Sequence, residues 1–144
     1  MKQAVRLFLV VFVVVAVATK IVLLSIPQET SVMPDGNHIV LFHAEVRCVT
    51  CTKMESLIKQ VLDEPKYGNL DLVTLEYDKP SNKEFAEQFH IGTTGIILVE
   101  QKNGVTVRSC DVSSEAWSHI KNDQDFVEML QAKLTEFYGQ PANL

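Results

Sequence analysis

Cysteine is scarce in this chain, three residues in 144, which excludes the dense, even set that staples small secreted scaffolds. Glycine (six) and proline (five) are also few, and hydrophobic residues make up 47% against 22% charged. Collagen-like, low-complexity and disordered classes are excluded on that composition. Acidic residues are absent from the first 26 positions, where Lys2, Arg6 and Lys20 carry the only charges. All 18 acidic residues therefore fall in residues 27–144, against ten basic ones. So acidic a body cannot neutralise phosphates, and nucleic acid is excluded as a partner. There is no internal repeat and no phosphate loop. Gly92-Thr93-Thr94-Gly95 lacks both the longer glycine pattern and the lysine that cradling phosphates requires.

What the N-terminus does have is apolar length. Lys2 and Arg6 precede an unbroken apolar run from Leu7 to Ala18, the layout of an export signal. The stretch from Leu7 to Ile26 is interrupted only by Thr19, Lys20 and Ser25. As a helix it spans roughly 30 Å, the thickness of the hydrocarbon core. Residues 7–26 are read as a retained single-pass membrane anchor, with cleavage at Ala16-Val17-Ala18 as the alternative. Either way the basic end stays inside and the body lies on the outer, periplasmic side of the cytoplasmic membrane, where disulfides persist.

The domain organisation expected is an anchor over 1–26, a linker over 27–37, one α/β domain over 38–138 and a tail over 139–144. The linker reading rests on two prolines and a Pro-Asp-Gly turn signal. His38 to Phe42 is a short β-branched apolar run, expected as a buried strand. Met54, Leu57, Ile58, Val61 and Leu62 form one face of a helix that Glu64-Pro65 ends. Leu70 to Tyr77 alternates as a second strand. Ser81 and Glu84 have capping-box spacing before a short helix carrying Phe85, Ala86 and Phe89. Gly95 to Gln101 and Val105 to Cys110 flank Lys102-Asn103-Gly104 as a hairpin. A last amphipathic helix starts near Asp123, carries Phe126, Val127, Leu130, Leu134 and Phe137, and stops at Gly139. The order β, α, β, α, β, β, α predicts a mixed sheet with helices on both faces.

Cys48-Val49-Thr50-Cys51 falls between the first strand and the first helix. Backbone N–H groups and the dipole at a helix start stabilise a thiolate, so Cys48 is expected to be the nucleophile. Arg47 and Lys53 add positive charge nearby, and Glu45 opposes them. Cys51, one turn on, is placed to resolve a mixed disulfide at Cys48. A zinc or other soft-metal site and a purely structural disulfide are the alternatives, the latter weakened because so short a loop constrains the unfolded chain little. His43 is a candidate proton carrier or third metal ligand beside Cys48 and Cys51. Cys110 reads as a small buried hydrophobe, and Trp117 as core with Phe126 and Met129. Glu84 and Glu87 belong to a solvated face, and His38, His90 and His119 lack ligand spacing.

The pattern resembles the thioredoxin fold. More narrowly, Phe42 to Cys51 with Lys53-Met54-Glu55-Ser56, the Trp117 segment and Asp125 to Leu130 resemble the ArsF-like family. These are small N-terminally anchored thioredoxin-fold proteins labelled as a nitroreductase-associated subunit. The resemblance covers roughly residues 38–138. It implies thiol–disulfide exchange with a protein disulfide or dithiol substrate and a redox partner, and no cofactor. The chain departs from thioredoxin at three places. Arg47 replaces the aromatic before the first cysteine. The buried acid that assists proton transfer would fall near Leu41 or Phe42, and is absent. No proline precedes the strand at Gly95, so Thr94 or Gly95 takes the place of the cis-proline that in the family pairs with substrate and keeps metals off the thiols.

Overall fold

A computed structural model describes residues 33–139. The expected anchor over 7–26, its cleavage site and most of the C-terminal tail lie outside the described residues. Among the described residues no helix is long and apolar enough to cross a membrane.

Four strands form one sheet in the order β2-β1-β3-β4. β1 (Gly36–His43) runs parallel to β2 (Leu70–Glu76) and antiparallel to β3 (Gly95–Lys102), which pairs antiparallel with the edge strand β4 (Val105–Asp111). β1 reads as a continuous apolar run because both of its faces are covered. Ile39 and Leu41 face one core with Ile96 and Leu98, whereas Val40 and Phe42 face the other with Ile97 and Val99. The alternation follows from the two-residue period of a strand.

On the first face lie α1 (Val49–Leu62), α3 (Ser113–His119) and α4 (Asp123–Tyr138). The stripe Met54, Leu57, Ile58 and Val61 is buried there, as its spacing predicts. Each such side chain contributes about 1.5–3 kcal/mol when fully buried. α4 is capped by Asn122, whose side chain accepts from the N–H groups of Gln124 and Asp125. The second face is covered by α2 (Lys83–Gln88), where Phe42, Phe85 and Phe89 form an aromatic cluster with ring centroids 4.9 to 6.4 Å apart.

Several expectations are corrected. Residues 33–37 belong to the folded body rather than to a linker. Met33 is buried with Val40 and Phe42, and β1 starts at Gly36. The carboxylate of Asp35 accepts from the N–H groups of Asn103 (2.8 Å) and Gly104 (2.9 Å). It thereby braces the β3–β4 turn, where both residues take the positive φ that an Asn-Gly hairpin needs. The Ser81–Glu84 capping box does not form. Residues Pro80–Asn82 make a 3-10 turn, and Asn82 turns inward to donate to the carbonyl of Glu76 at 3.0 Å. α3 is an additional helix. Its sequence, Ser-Ser-Glu-Ala-Trp-Ser-His, shows one buried side chain, Ala116, flanked by Val112 and Ile120. That spacing of four is helical, but seven polar-rich residues carry too weak a period to stand out.

Candidate functional site

The loop after β1 delivers Cys48 to the start of α1. Cys48 is its N-cap in extended conformation (φ −83°, ψ 158°), and its Sγ accepts from the Cys51 N–H at 3.1 Å. No acidic residue occupies the first turn, so no carboxylate competes with a thiolate for the positive end of the helix dipole. Cys48 and Cys51 form a disulfide, with Cα atoms 5.2 Å apart. The pair is asymmetric: Cys48 is exposed, whereas Cys51 is 4% exposed. An incoming group therefore meets Cys48 first.

The residue facing the disulfide in place of a proline is Thr94. Its Oγ1 lies 3.1 Å from Cys51 Sγ. A disulfide sulfur carries no proton, so the hydroxyl is the donor. Gly95 plays a different part. A Cβ there would meet Ser113 Oγ at 2.5 Å, so glycine is what lets α3 approach the start of β3. Ser113 Oγ accepts from the Ile96 N–H at 3.0 Å, and the Trp117 indole N–H donates to the Thr94 carbonyl at 2.9 Å. α3 thus grips the Thr94 segment at two points. The core assignment of Trp117 is corrected: the residue is 42% exposed, with its indole N–H turned onto the loop.

The charges expected around Cys48 are already matched. Arg47 pairs with Glu55, which also receives Lys59 at 2.7 Å. The Lys59 hydrogen bond, with help from Arg47, holds the Glu55 carboxyl below its ordinary range. Lys53 turns away to Asp123 (2.6 Å) and the carbonyl of Ile120 (2.9 Å), tying α1 to the α3–α4 junction. Glu45 contributes its backbone N–H to Asp78 at 3.3 Å.

His43 is buried, with Nδ1 2.7 Å from the Ala44 carbonyl and Nε2 3.1 Å from an Arg47 nitrogen. A carbonyl only accepts and a guanidinium only donates, so His43 carries its proton on Nδ1 and offers Nε2 as acceptor. Both ring nitrogens are thus engaged with protein groups in this arrangement. Among the described residues no group of three or more His, Cys, Asp or Glu side chains is placed to hold a metal ion.

Leu41 and Phe42 are fully buried apolar residues, so the positions expected for a proton-handling acid hold none. Cys110 is half-buried on β4 opposite Leu98, and desolvation raises its thiol pKa. His90 and His119 are exposed and His38 is buried. Sequence reasoning missed Ser113 and the role of Trp117. The usable signal was the chain's single tryptophan standing in a mostly polar segment, Ser113 to His119.

The parallel β1-α1-β2 unit, the antiparallel β3-β4 hairpin and the closing helix have the arrangement of a thioredoxin-like fold, with a C-x-x-C disulfide at the start of α1. Solved structures with this likeness include thioredoxin f2 of Chlamydomonas reinhardtii (15% identity over 76% of this chain and 86% of that one, TM-score 0.46). Thioredoxin O2 of Arabidopsis thaliana in its oxidised state is 13% identical over 72% of this chain and 76% of that one, TM-score 0.46. Trxlp of Edwardsiella tarda is 21% identical over 52% and 69%, TM-score 0.39. No family model and no curated protein matches the chain. A C-x-x-C disulfide at a helix start is a group that can undergo thiol–disulfide exchange.

Proposed function

We propose that this chain is a membrane-anchored thiol–disulfide oxidoreductase whose domain works on the outer side of the cytoplasmic membrane. The observation that carries the chemistry is the asymmetry of the pair, an exposed Cys48 capping α1 and a buried Cys51 bonded to it. In the reducing direction the Cys48 thiolate attacks one sulfur of a protein disulfide. The S–S bond breaks, and the leaving thiolate takes a proton. Cys51 then loses its proton, bonds to Cys48 and displaces the second substrate thiolate. Two electrons pass to the substrate, and the Cys48–Cys51 disulfide remains for a redox partner to reduce. The reverse sequence oxidises a dithiol. The pair's reduction potential against its compartment decides the direction.

The apolar run over 7–26 and the basic residues Lys2 and Arg6 support the anchor and its orientation. The sequence likeness to ArsF-like proteins supports the same placement. A second reading is an accessory protein that holds a partner or a soft metal through the same cysteines. It draws on Leu41 and Phe42, which leave no carboxyl at the positions a thioredoxin uses for proton transfer.

The experiment is insulin-disulfide reduction driven by dithiothreitol, with Cys48→Ser and Cys51→Ser beside the parent. The parent reduces insulin, Cys48→Ser does not, and Cys51→Ser accumulates a mixed disulfide at Cys48. A parent that leaves insulin intact and traps nothing excludes the oxidoreductase. A reporter fused after Leu144 tests the location: cytoplasmic activity overturns it, and a soluble product starting at Thr19 replaces the anchor with a cleaved signal.

A further inference from the structure

The resolving step poses a problem that the site answers in an unexpected way. Cys51 must lose a proton while 4% exposed, and burial in apolar surroundings opposes the thiolate. Leu41 and Phe42, buried on the neighbouring strand, offer no carboxyl to take the proton. The hydroxyl of Thr94, 3.1 Å from Cys51 Sγ, already donates to that sulfur in the oxidised state. When Cys51 is a thiolate the same O–H meets a full negative charge, and a hydrogen bond to a charged group is about twice as strong as a neutral one.

Thr94 is the last residue before β3, and its position is held by its neighbours rather than by a ring. The Trp117 indole N–H bonds its carbonyl at 2.9 Å, and one turn earlier on α3 Ser113 bonds the Ile96 N–H at 3.0 Å. Gly95 between them leaves room for that approach. The exposed tryptophan therefore acts mechanically, because its N–H fixes the loop whose side chain touches the buried sulfur.

We infer that Thr94 is the hydrogen-bond donor that stabilises the Cys51 thiolate during resolution, and that Trp117 is the positioning residue that keeps it there. The inference rests on the proposed thiol–disulfide chemistry and names the residues that make its second step work.

The test follows resolution with dithionitrobenzoate on the reduced full chain carrying Cys110→Ser. Cys48 attacks the reagent, releases one thionitrobenzoate and retains the other. Cys51 then bonds to Cys48, breaks the Cys48–thionitrobenzoate bond and releases the second thiolate, its own proton passing to solvent. The rate of the second release is measured against pH.

For Thr94→Val the midpoint moves up by about one unit, because a bond to a charged group is worth about tenfold in the ionisation. A more basic thiolate is also a better nucleophile. The rate at pH 7 therefore falls only about threefold, while the plateau above the midpoint rises about threefold. Thr94→Ser keeps the hydroxyl and the parent profile. Trp117→Phe keeps an aromatic ring, loses the N–H and moves the midpoint in the same direction by a smaller amount. Crossing profiles of this kind do not arise from loosened packing alone. A Thr94→Val profile that overlays the parent overturns the inference. A Thr94→Val shift that Trp117→Phe does not share overturns the part assigned to Trp117. Because the reagent is a small disulfide, failure to reduce insulin beside a shifted profile would count against the proposed function and leave Thr94 in its role.

Discussion

Arg47 donates to Nε2 of His43 at 3.1 Å while its other terminal nitrogen meets Glu55. The guanidinium next to the exposed cysteine is thus turned to a buried imidazole and a carboxylate. Its charge is matched, and exposed matched charges are further screened by salt. Arg47→Ala is expected to leave iodoacetamide labelling of Cys48 at pH 7 within about twofold of the parent. It lowers stability to urea by about 1–2 kcal/mol, because Nε2 of His43 loses its donor. A tenfold fall in labelling would show instead that Arg47 activates the thiol.

Labelling also separates the two cysteines. Cys48 caps α1 in the open, whereas Cys51 is enclosed. Cys48 is expected to alkylate at least about tenfold faster at neutral pH, since both thiolate character and access favour it. Mass mapping after brief iodoacetamide treatment checks the ratio. Equal rates, or faster modification of Cys51, reverse the assignment of nucleophile and resolving thiol.

Gly95→Ala puts a Cβ within 2.5 Å of Ser113 Oγ and 3.0 Å of the Ile91 side chain. A cost of about 1–3 kcal/mol is expected for such overpacking. Ser113→Ala alone removes the acceptor of the Ile96 N–H and costs about 1 kcal/mol. With Ser113→Ala already present, Gly95→Ala adds little, so the pair is strongly non-additive. Urea midpoints of the two single variants and the double variant measure the coupling. Additive costs would place the strain elsewhere.

Asp35 links pH to the stability of the hairpin. The N–H groups of Gly104 and Asn103 hold its carboxyl below the ordinary aspartate value. A depressed folded-state pKa contributes stability above the unfolded value, and that contribution is lost as pH falls through the folded one. Asp35→Ala is therefore expected to be less stable than the parent at pH 7, with the gap narrowing below about pH 4. Urea midpoints from pH 7 down to pH 3 follow it. A gap that stays constant over that range would mean that the Asp35 side chain acts independently of its charge.

The order of elements around the cysteines was legible in the chain because each carries its own local signal. His38 to Phe42, the stripe Met54 to Val61, Asn103-Gly104 and the closing helix from near Asp123 to Gly139 are readable from period and turn chemistry. Cys48 as N-cap follows from the same local reading, because a helix start is a property of neighbouring residues. Contacts between distant segments are not. Whether Thr94 or Gly95 faces Cys51 depends on how β3 meets α1, 43 residues apart in the chain. The role of Trp117 depends on a helix too short to show a period, and on an N–H reaching back 23 residues to a carbonyl. The charges of Arg47 and Lys53 counted toward Cys48 in one dimension, but in three they are matched by Glu55 and Asp123. Local sequence by itself determined the strands, the first and last helices and the place of the cysteine pair at a helix start. Tertiary packing alone decided what stands beside the buried sulfur, because that choice is made by side chains brought together across the fold.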